Sequence, residues 1–255
     1  MAGLVRKDMY CLRKTLKLFF IVTVSVIVLS VLLIASSRYG NIAGGLEEMK
    51  AEGAVDEEAF YSFFKVPIWL TLFIPLSFLS MIVECFKEDQ KAGFVKIMRS
   101  MPLSCRQIVG GRYLSCLLFA AAGLAGSLTA GYFVSLVSEA FPLKELLAYI
   151  LCFGGLLFIY MSFVLFMLYL FGVERADLIQ CAPFLLLIIG AVLAVQKNLS
   201  SVPESEADAF FSGMIDSAAN FMTEHFVLVF LVAAGCMLLS FAGSCLVFKG
   251  RKGGI

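Results

Sequence analysis

Charge is what this chain has little of. Only 15% of its 255 residues are Asp, Glu, Lys or Arg, against 61% hydrophobic ones, and there is one histidine and one tryptophan. A soluble domain averages about 25% charged and about 45–50% apolar residues, so a chain this apolar cannot hide its surplus inside one globule. The shortage of charge excludes a water-soluble enzyme and a disordered tail, and a net charge of +1 with no basic domain excludes a nucleic-acid binder. No G-x-x-x-x-G-K-[ST] segment occurs, and Gly110-Gly111-Arg112-Tyr113 is not one, so the chain carries no ATPase motif of its own. The lone histidine, His225, lies at the edge of an apolar run. No carboxylate lies inside such a run to act as base or metal ligand, so the chain is not expected to be an enzyme or to bind a cofactor.

What is there is hydrophobic length. Six runs, 18–35, 66–83, 114–137, 146–171, 178–195 and 226–248, contain no Asp, Glu, Lys, Arg or His. A helix rises about 1.5 Å per residue and needs roughly 20 apolar residues to cross a hydrocarbon core about 30 Å thick. A charge at mid-bilayer costs about 2.5–3.5 kcal/mol on insertion scales, which explains why all the charges fall between the runs. The fold class is therefore an all-α membrane protein with six transmembrane helices. Residues 1–17 precede the 18–248 bundle, and 249–255 form a tail. The first run is too long for the core of a signal peptide, usually 7 to 15 residues, and is read as a retained span.

Orientation follows from Lys and Arg in alternating connections. Fifteen of the 20 lie in the amino-terminal piece, the connections after the second and fourth runs and the tail; the other five are Arg38, Lys50, Lys65, Lys144 and Lys197. Acidic residues divide the other way, six against 13, so the faces carry formal charges of +9 and −8. Both termini are expected in the cytoplasm, with the loops 36–65 and 196–225 outside. All eight cysteines fall in the runs or on the basic side, which leaves no disulfide for the outer loops.

Small residues Ala122, Gly126, Ala130, Ser127 and Gly131 in the third run, and Cys236, Ser240 and Ser244 in the sixth, let helices approach closely. Packing within the chain is the simpler reading, a subunit interface the alternative. Pro67, Pro75 and Pro183 each remove a helix hydrogen bond and are expected sites of kinks. Before the first run, Val5, Met9, Leu12 and Leu16 recur at helical spacing while Arg6, Lys7, Arg13, Lys14 and Lys17 take other faces. This spacing predicts an amphipathic helix lying in the cytoplasmic interface, drawn to anionic lipid of the bilayer.

The basic connection 84–113 holds the densest instructions. Phe94, Ile97, Met98 and Met101 share one face of a short helix that Pro102 should stop. Ser104 and Gln107 then spell a capping box, and Leu103 with Ile108 a hydrophobic staple, so a helix with a defined start enters the third span. Such an amphipathic basic elbow is a candidate docking surface. In the outer loop, Phe210, Phe211, Met214, Ile215, Ala218, Phe221 and Met222 repeat with a period near 3.6, which fits a cap on the interface or a re-entrant segment over 207–222.

The opening Leu4-Val-Arg-Lys-Asp8, the acidic stretch with Glu88, Asp89 and Gly93, and the run Ser100-Met-Pro-Leu-Ser-Cys-Arg-Gln-Ile-Val-Gly-Gly-Arg-Tyr-Leu114 together resemble the permease subunits of ABC-2 type exporters. Members of similar size usually read S-L-P-V-S-R there; this chain has Cys105 after the serine and Arg106 one place later. The resemblance implies a six-span subunit in the plasma membrane of a bacterium, paired with itself or with a related permease as a homo- or heterodimer. It also implies a separate cytoplasmic P-loop ATPase subunit, with ATP and Mg held by that partner. Carried onto this chain, the ATPase-coupling segment comprises Lys87, Glu88, Asp89, Lys91, Gly93, Phe94, Ile97, Met98 and Arg99. Pro102, Ser104, Arg106 and Gln107 form the helix-start elbow, and Val5, Arg6, Lys7, Met9, Leu12, Arg13 and Lys14 the interfacial helix. The cargo implied is amphipathic or hydrophobic: a peptide, a drug or a lipid. A secondary transporter is the main alternative, although it generally needs an ionisable group near midplane; a non-transporting scaffold or immunity protein is another.

The charge split predicts that a membrane-impermeant maleimide leaves Cys11 and Cys105 unlabelled in intact cells and reaches them in inverted vesicles. Rapid labelling in intact cells would reverse the orientation.

Overall fold

The computed structural model describes residues 2–39, 57–94, 97, 103–137, 143–199, 217 and 220–252. Its elements are α1 (Ala2–Cys11), α2 (Arg13–Tyr39), α3 (Glu57–Lys91), α4 (Cys105–Val137), α5 (Leu143–Phe171), a 3-10 turn (Val173–Arg175), α6 (Ala176–Leu199) and α7 (Phe226–Lys252), with no strand among the described residues. Five stretches, Arg13–Leu33, Leu70–Lys91, Cys105–Leu136, Leu143–Phe171 and Phe226–Gly250, are long and apolar enough to cross a membrane. The apolar run 178–195 is carried by α6, a 24-residue helix outside those five.

Several helices outrun their apolar runs. With 35 residues α3 is about 50 Å long, well beyond a hydrocarbon core of about 30 Å, and α4 has 33 residues. Each extends past the apolar run at the same end, α3 to Lys91 and α4 from Cys105, so the connection between them shrinks to residues 92–104. Membrane thickness sets a minimum length for a spanning helix and no maximum; the backbone keeps its hydrogen bonds as it passes into the headgroups.

Contacts give the directions. Phe78 and Thr71 of α3 meet Gly123 and Ser127 of α4, so these two run antiparallel. Ile150 and Gly154 of α5 meet Gly131 and Leu124 of α4, again antiparallel. In α5 and α7 the register rises together, Gly155 with Val229, Phe166 with Gly243 and Tyr169 with Phe248, so these helices are parallel. Between them α6 folds back on α5, with Tyr160 donating to the Gln180 carbonyl at 2.9 Å and its ring 4.8 Å from Phe184. The core lies between α3, α4 and α5, built from Leu79, Ile82, Val109, Cys116, Met161 and Leu165, with Phe241 and Phe248 of α7 packed against it.

Lipid tails are as apolar as leucine, so close fit and internal hydrogen bonds must hold such helices together. The α3–α4 crossing shows both. Pro75 has no N–H to give the Thr71 carbonyl one turn earlier; Ser127 of α4 donates to that carbonyl at 2.8 Å instead. Gly123 makes the approach possible, since a Cβ there would lie 2.9 Å from Pro75 Cα and from Phe78 Cβ. Nearby, Gly126 faces Thr23 of α2 and Ile74 of α3. Gly126, Ser127, Ala130 and Gly131 of the third run thus serve contacts within the chain, whereas Ala122 is exposed, and α3 and α6 continue as helices through Pro75 and Pro183.

Across α5 and α7 a second polar set closes the bundle. The Tyr113 hydroxyl lies 2.6 Å from Ser240 Oγ and 2.8 Å from Ser244 Oγ, and Ser240 donates to the Ser162 carbonyl at 2.5 Å. Large apolar side chains of α2 and α7, among them Phe20, Ile21, Leu231 and Leu239, stay exposed, as a lipid-facing surface requires.

At one end of the bundle α1, the end of α3, the start of α4, the 3-10 turn and the end of α7 come together. Lys7 meets Asp89, Lys87 reaches Asp177 at 2.7 Å, and Tyr169 sits edge-on to both Phe86 and Phe248. Backbone hydrogen bonds run on from α1 into α2 across Leu12, from its N–H to the Asp8 carbonyl at 3.0 Å and from Leu16 N–H to the Leu12 carbonyl at 2.8 Å. Of the apolar face expected on α1, Leu12 is buried, Val5 and Leu16 are half-buried and Met9 is exposed. The one fully buried residue of α1 is an acid, Asp8. Its ion pairs with Lys7 and Arg112 hold α1 against the start of α4.

Replacing Gly123 by Ala should overpack the α3–α4 crossing and destabilise the chain by about 1–3 kcal/mol. Gly235→Ala, where nothing lies within 4 Å of the added Cβ, should be neutral. Thermal unfolding in detergent reads both; equal melting temperatures would refute the tight crossing.

Candidate functional site

The end where α1, α3 and α4 meet holds most of the buried charge. Asp8, Asp89 and Arg112 are exposed by only 3%, 5% and 6% of their surface. Lys7 Nζ lies 3.0 Å from one Asp8 oxygen, and the other Asp8 oxygen is 2.9 Å from an Arg112 nitrogen. Asp89 repeats this arrangement, giving one oxygen to Lys7 and the other to Arg112. The four side chains form a closed ring of alternating sign. Its formal charge is zero, which allows it to sit under α1 at the boundary of an apolar bundle.

Each member is delivered by a helix end. Asp89 lies two residues before the end of α3, carried there by the helical extension beyond the apolar run. Arg112 is in the second turn of α4, where Ser104 and Gln107 make the reciprocal capping box expected of them. The Gln107 N–H donates to Ser104 Oγ at 3.2 Å, and the Ser104 N–H to Gln107 Oε1 at 3.0 Å. Two otherwise orphaned donors are satisfied, and the start of α4 is fixed. Gly111, beside Arg112, lets α1 come close: a Cβ on it would lie 3.2 Å from Leu4 Cβ.

Aromatic rings line the charges. The Arg112 guanidinium lies over the Phe86 ring at 4.8 Å, and the Lys7 ammonium over Phe94 at 4.1 Å. Burial of Lys7, together with the nearby Arg112, lowers its pKa from the ordinary lysine value, while Asp8 works in the opposite direction.

Residues of the expected coupling segment divide into two groups. Lys87, Glu88, Asp89 and Lys91 belong to α3. Lys87 bonds Asp177 at 2.7 Å, Lys91 pairs with Glu88 at 2.8 Å, and Asp89 is locked in the ring. Gly93, at φ 63°, adopts the left-handed conformation that ends a helix cheaply only with glycine, and the chain turns there into the connection. Phe94 is half-buried against Lys7, whereas Ile97 is 49% exposed. Met98, Arg99 and Pro102 lie outside the described residues, as do Phe210, Phe211, Met214, Ile215 and Ala218 of the outer loop. Arg106 of the elbow is exposed, as are Arg6, Arg13 and Lys14 around α1. The structure thus brings Lys7, Leu12, Asp89 and Phe94 to one end of the bundle and leaves Arg6, Arg13, Lys14, Lys91 and Arg106 exposed.

Asp8, Gly111, Arg112 and Phe86 were not among the expected site residues. Sequence does carry a signal for the first and third: Asp8 is the one acid among the first 17 residues, and Arg112 stands two positions before an apolar run. Counting charges by side of the membrane hides such residues, because it treats every one as wet.

Residues 59–249 match the model of the ABC-2 family transporter proteins. This stretch covers most of the chain and includes α3 through nearly all of α7, and the chain belongs to that family. No curated protein and no solved structure matches it. The protein is thus a multi-pass membrane protein of a transporter family whose permease domains generally work with an ATPase partner.

Removing Arg112 should leave two buried carboxylates facing each other. Breaking a buried pair by removing one partner costs about 3–5 kcal/mol, so Arg112→Met should lower the unfolding midpoint in detergent sharply. Arg6→Met, on the exposed side of α1, should not. Equal midpoints would mean that the ring contributes nothing to the fold.

Proposed function

We propose that this chain is the six-span permease subunit of an ABC exporter, moved by a separate cytoplasmic P-loop ATPase that docks on the connection 92–104. The observation that carries this reading is how that connection is mounted. One end leaves α3 through Gly93, directly after the ion ring, and the other enters α4 through a capping box. Both helices run from there into the core between α3, α4 and α5. A push on the connection therefore reaches the spans through rigid helix, without slack in between. Exposed Ile97 offers an apolar contact to a groove on the partner.

Six spans follow from treating α6 as a crossing, which returns the chain so that α5 and α7 can run parallel and α1 and the end of α7 share one end. That shared end is the basic one, which favours cytoplasmic termini. ATP and Mg belong to the partner, since no phosphate-binding motif occurs in this sequence. A second copy of this chain or a related permease completes the transporter, and the cargo is amphipathic or hydrophobic. The buried charges among the described residues gather at one end, while the apolar runs hold no Asp, Glu, Lys, Arg or His. A carrier driven by ions would need the reverse.

The test is co-purification in mild detergent. Ile97→Asp should abolish recovery of a P-loop ATPase subunit with the permease while the permease remains inserted and monodisperse. Lys144→Asp, in the first turn of α5, should leave recovery intact. Undiminished association in the Ile97 variant would move docking elsewhere, and absence of any ATPase from the wild-type preparation would remove the reading.

A further inference from the structure

The ring of charges does more than close the bundle, because one of its members also touches the connection. Lys7 is held by Asp8 and Asp89 and at the same time lies over Phe94, the first helical residue beyond Gly93. We propose that Lys7 and Asp8 are positioning residues: they make α1 an arm that sets where Phe94 and Ile97, at the start of the connection, stand relative to α3 and α4. The idea rests on the docking role given to that connection above.

The way α1 is attached supports this. A helix held only by lipid has no need to bury an acid against the bundle, yet the fully buried residue of α1 is Asp8. An ionic contact adds little net stability over apolar packing of equal size, but it is demanding about geometry. Each carboxylate oxygen in the ring serves one cation, so a shift of α1 breaks several pairs together. Leu4 seated against Gly111 fixes the distance between α1 and α4, and the ring fixes the rotation. With both set, the Lys7 ammonium has a defined place, and the Phe94 ring follows it. In the other direction, displacing Phe94 takes from Lys7 its aromatic partner and weakens its hold on Asp8 and Asp89. The position of the connection and the seating of α1 are therefore two readings of one equilibrium.

Leu4 and Gly111 supply a reporter. A Cβ on Gly111 would stand 3.2 Å from Leu4 Cβ, a few tenths of an ångström under the roughly 3.5–4.5 Å of a disulfide. In full-length protein purified in detergent, with the native cysteines replaced, Leu4→Cys with Gly111→Cys should cross-link rapidly under mild oxidation. Lys7→Gln, Asp8→Asn and Phe94→Ala should each slow that reaction several-fold. In a separate series carrying Ile97→Cys, Lys7→Gln and Asp8→Asn should raise the rate of maleimide labelling at position 97. Inverting the whole ring, with Lys7→Asp, Asp8→Lys, Asp89→Arg and Arg112→Asp, should bring the cross-linking rate back toward that of the parent while labelling at position 97 stays raised, because a carboxylate at position 7 has no attraction for the face of the Phe94 ring. Lys7→Gln sits at the half-buried edge of the ring and keeps the test open if the deeper variants fold poorly.

Cross-linking that ignores Lys7 and Phe94 would overturn the proposal. So would cross-linking that falls while labelling at position 97 stays at the parental rate, because α1 would then be anchored without positioning anything. Both readouts use the permease alone, so failure to recover an ATPase would leave them intact and would count against the docking role only.

Discussion

Four side chains of alternating charge, Lys7, Asp8, Asp89 and Arg112, decide how the amino-terminal helix meets the bundle. They come from three segments widely separated in sequence, and no pair among them would be tolerated alone at the edge of an apolar core. An unpaired ion there costs several kcal/mol; a neutral ring in which every carboxylate oxygen has a cation meets that cost from within. The arrangement requires α3 and α4 to continue as helices past the apolar stretches, because only then do Asp89 and Arg112 reach the same level. It also requires Gly111, without which α1 would stand further off.

Deeper in the bundle the constraint is different. Helices surrounded by lipid gain nothing from burying leucine against leucine, so contact depends on small residues and on hydrogen bonds that would otherwise go unmade. Pro75 creates such a need by leaving the Thr71 carbonyl without its usual donor, and Ser127 meets it from the neighbouring helix across the notch at Gly123. Tyr113 plays the corresponding part toward α7 through Ser240 and Ser244. Arg112 and Tyr113 are adjacent in sequence, so the charged ring and the polar seam are joined by a single turn of α4. Movement at the ring is therefore mechanically continuous with the contact between α4 and the last helix.

Much of this could be read from the sequence, and for definite reasons. Runs without charge mark helices in lipid because the penalty for an ion at mid-bilayer is large, and five of the six runs lie in helices long and apolar enough to cross a membrane. Ser104 and Gln107 announced the start of α4 because a capping box is local: its two bonds span three residues. The family resemblance rested on the segments around Asp8, Asp89 and Tyr113, and the match over residues 59–249 agrees with it. The rest was hidden by distance along the chain. Nothing local says that Asp8 pairs with Arg112, or that Ser127 answers Pro75. Periodicity grouped Met9 with Val5, Leu12 and Leu16 on one apolar face of α1, and had no means of showing that Asp8 is buried in ion pairs beside that face. Lys87 to Lys91 read as part of a separate segment because charge was equated with loop, but they continue α3.

The connection 92–104 is the place where a soluble engine and this bundle are expected to touch. A photo-reactive amino acid incorporated at position 97 in living cells tests this most directly, with the same group at exposed Tyr10 of α1 as a control. Illumination should join position 97 to a P-loop ATPase subunit identified by mass spectrometry, and position 10 should not give that adduct. Adducts from position 97 only to lipid or to copies of this chain would contradict the account.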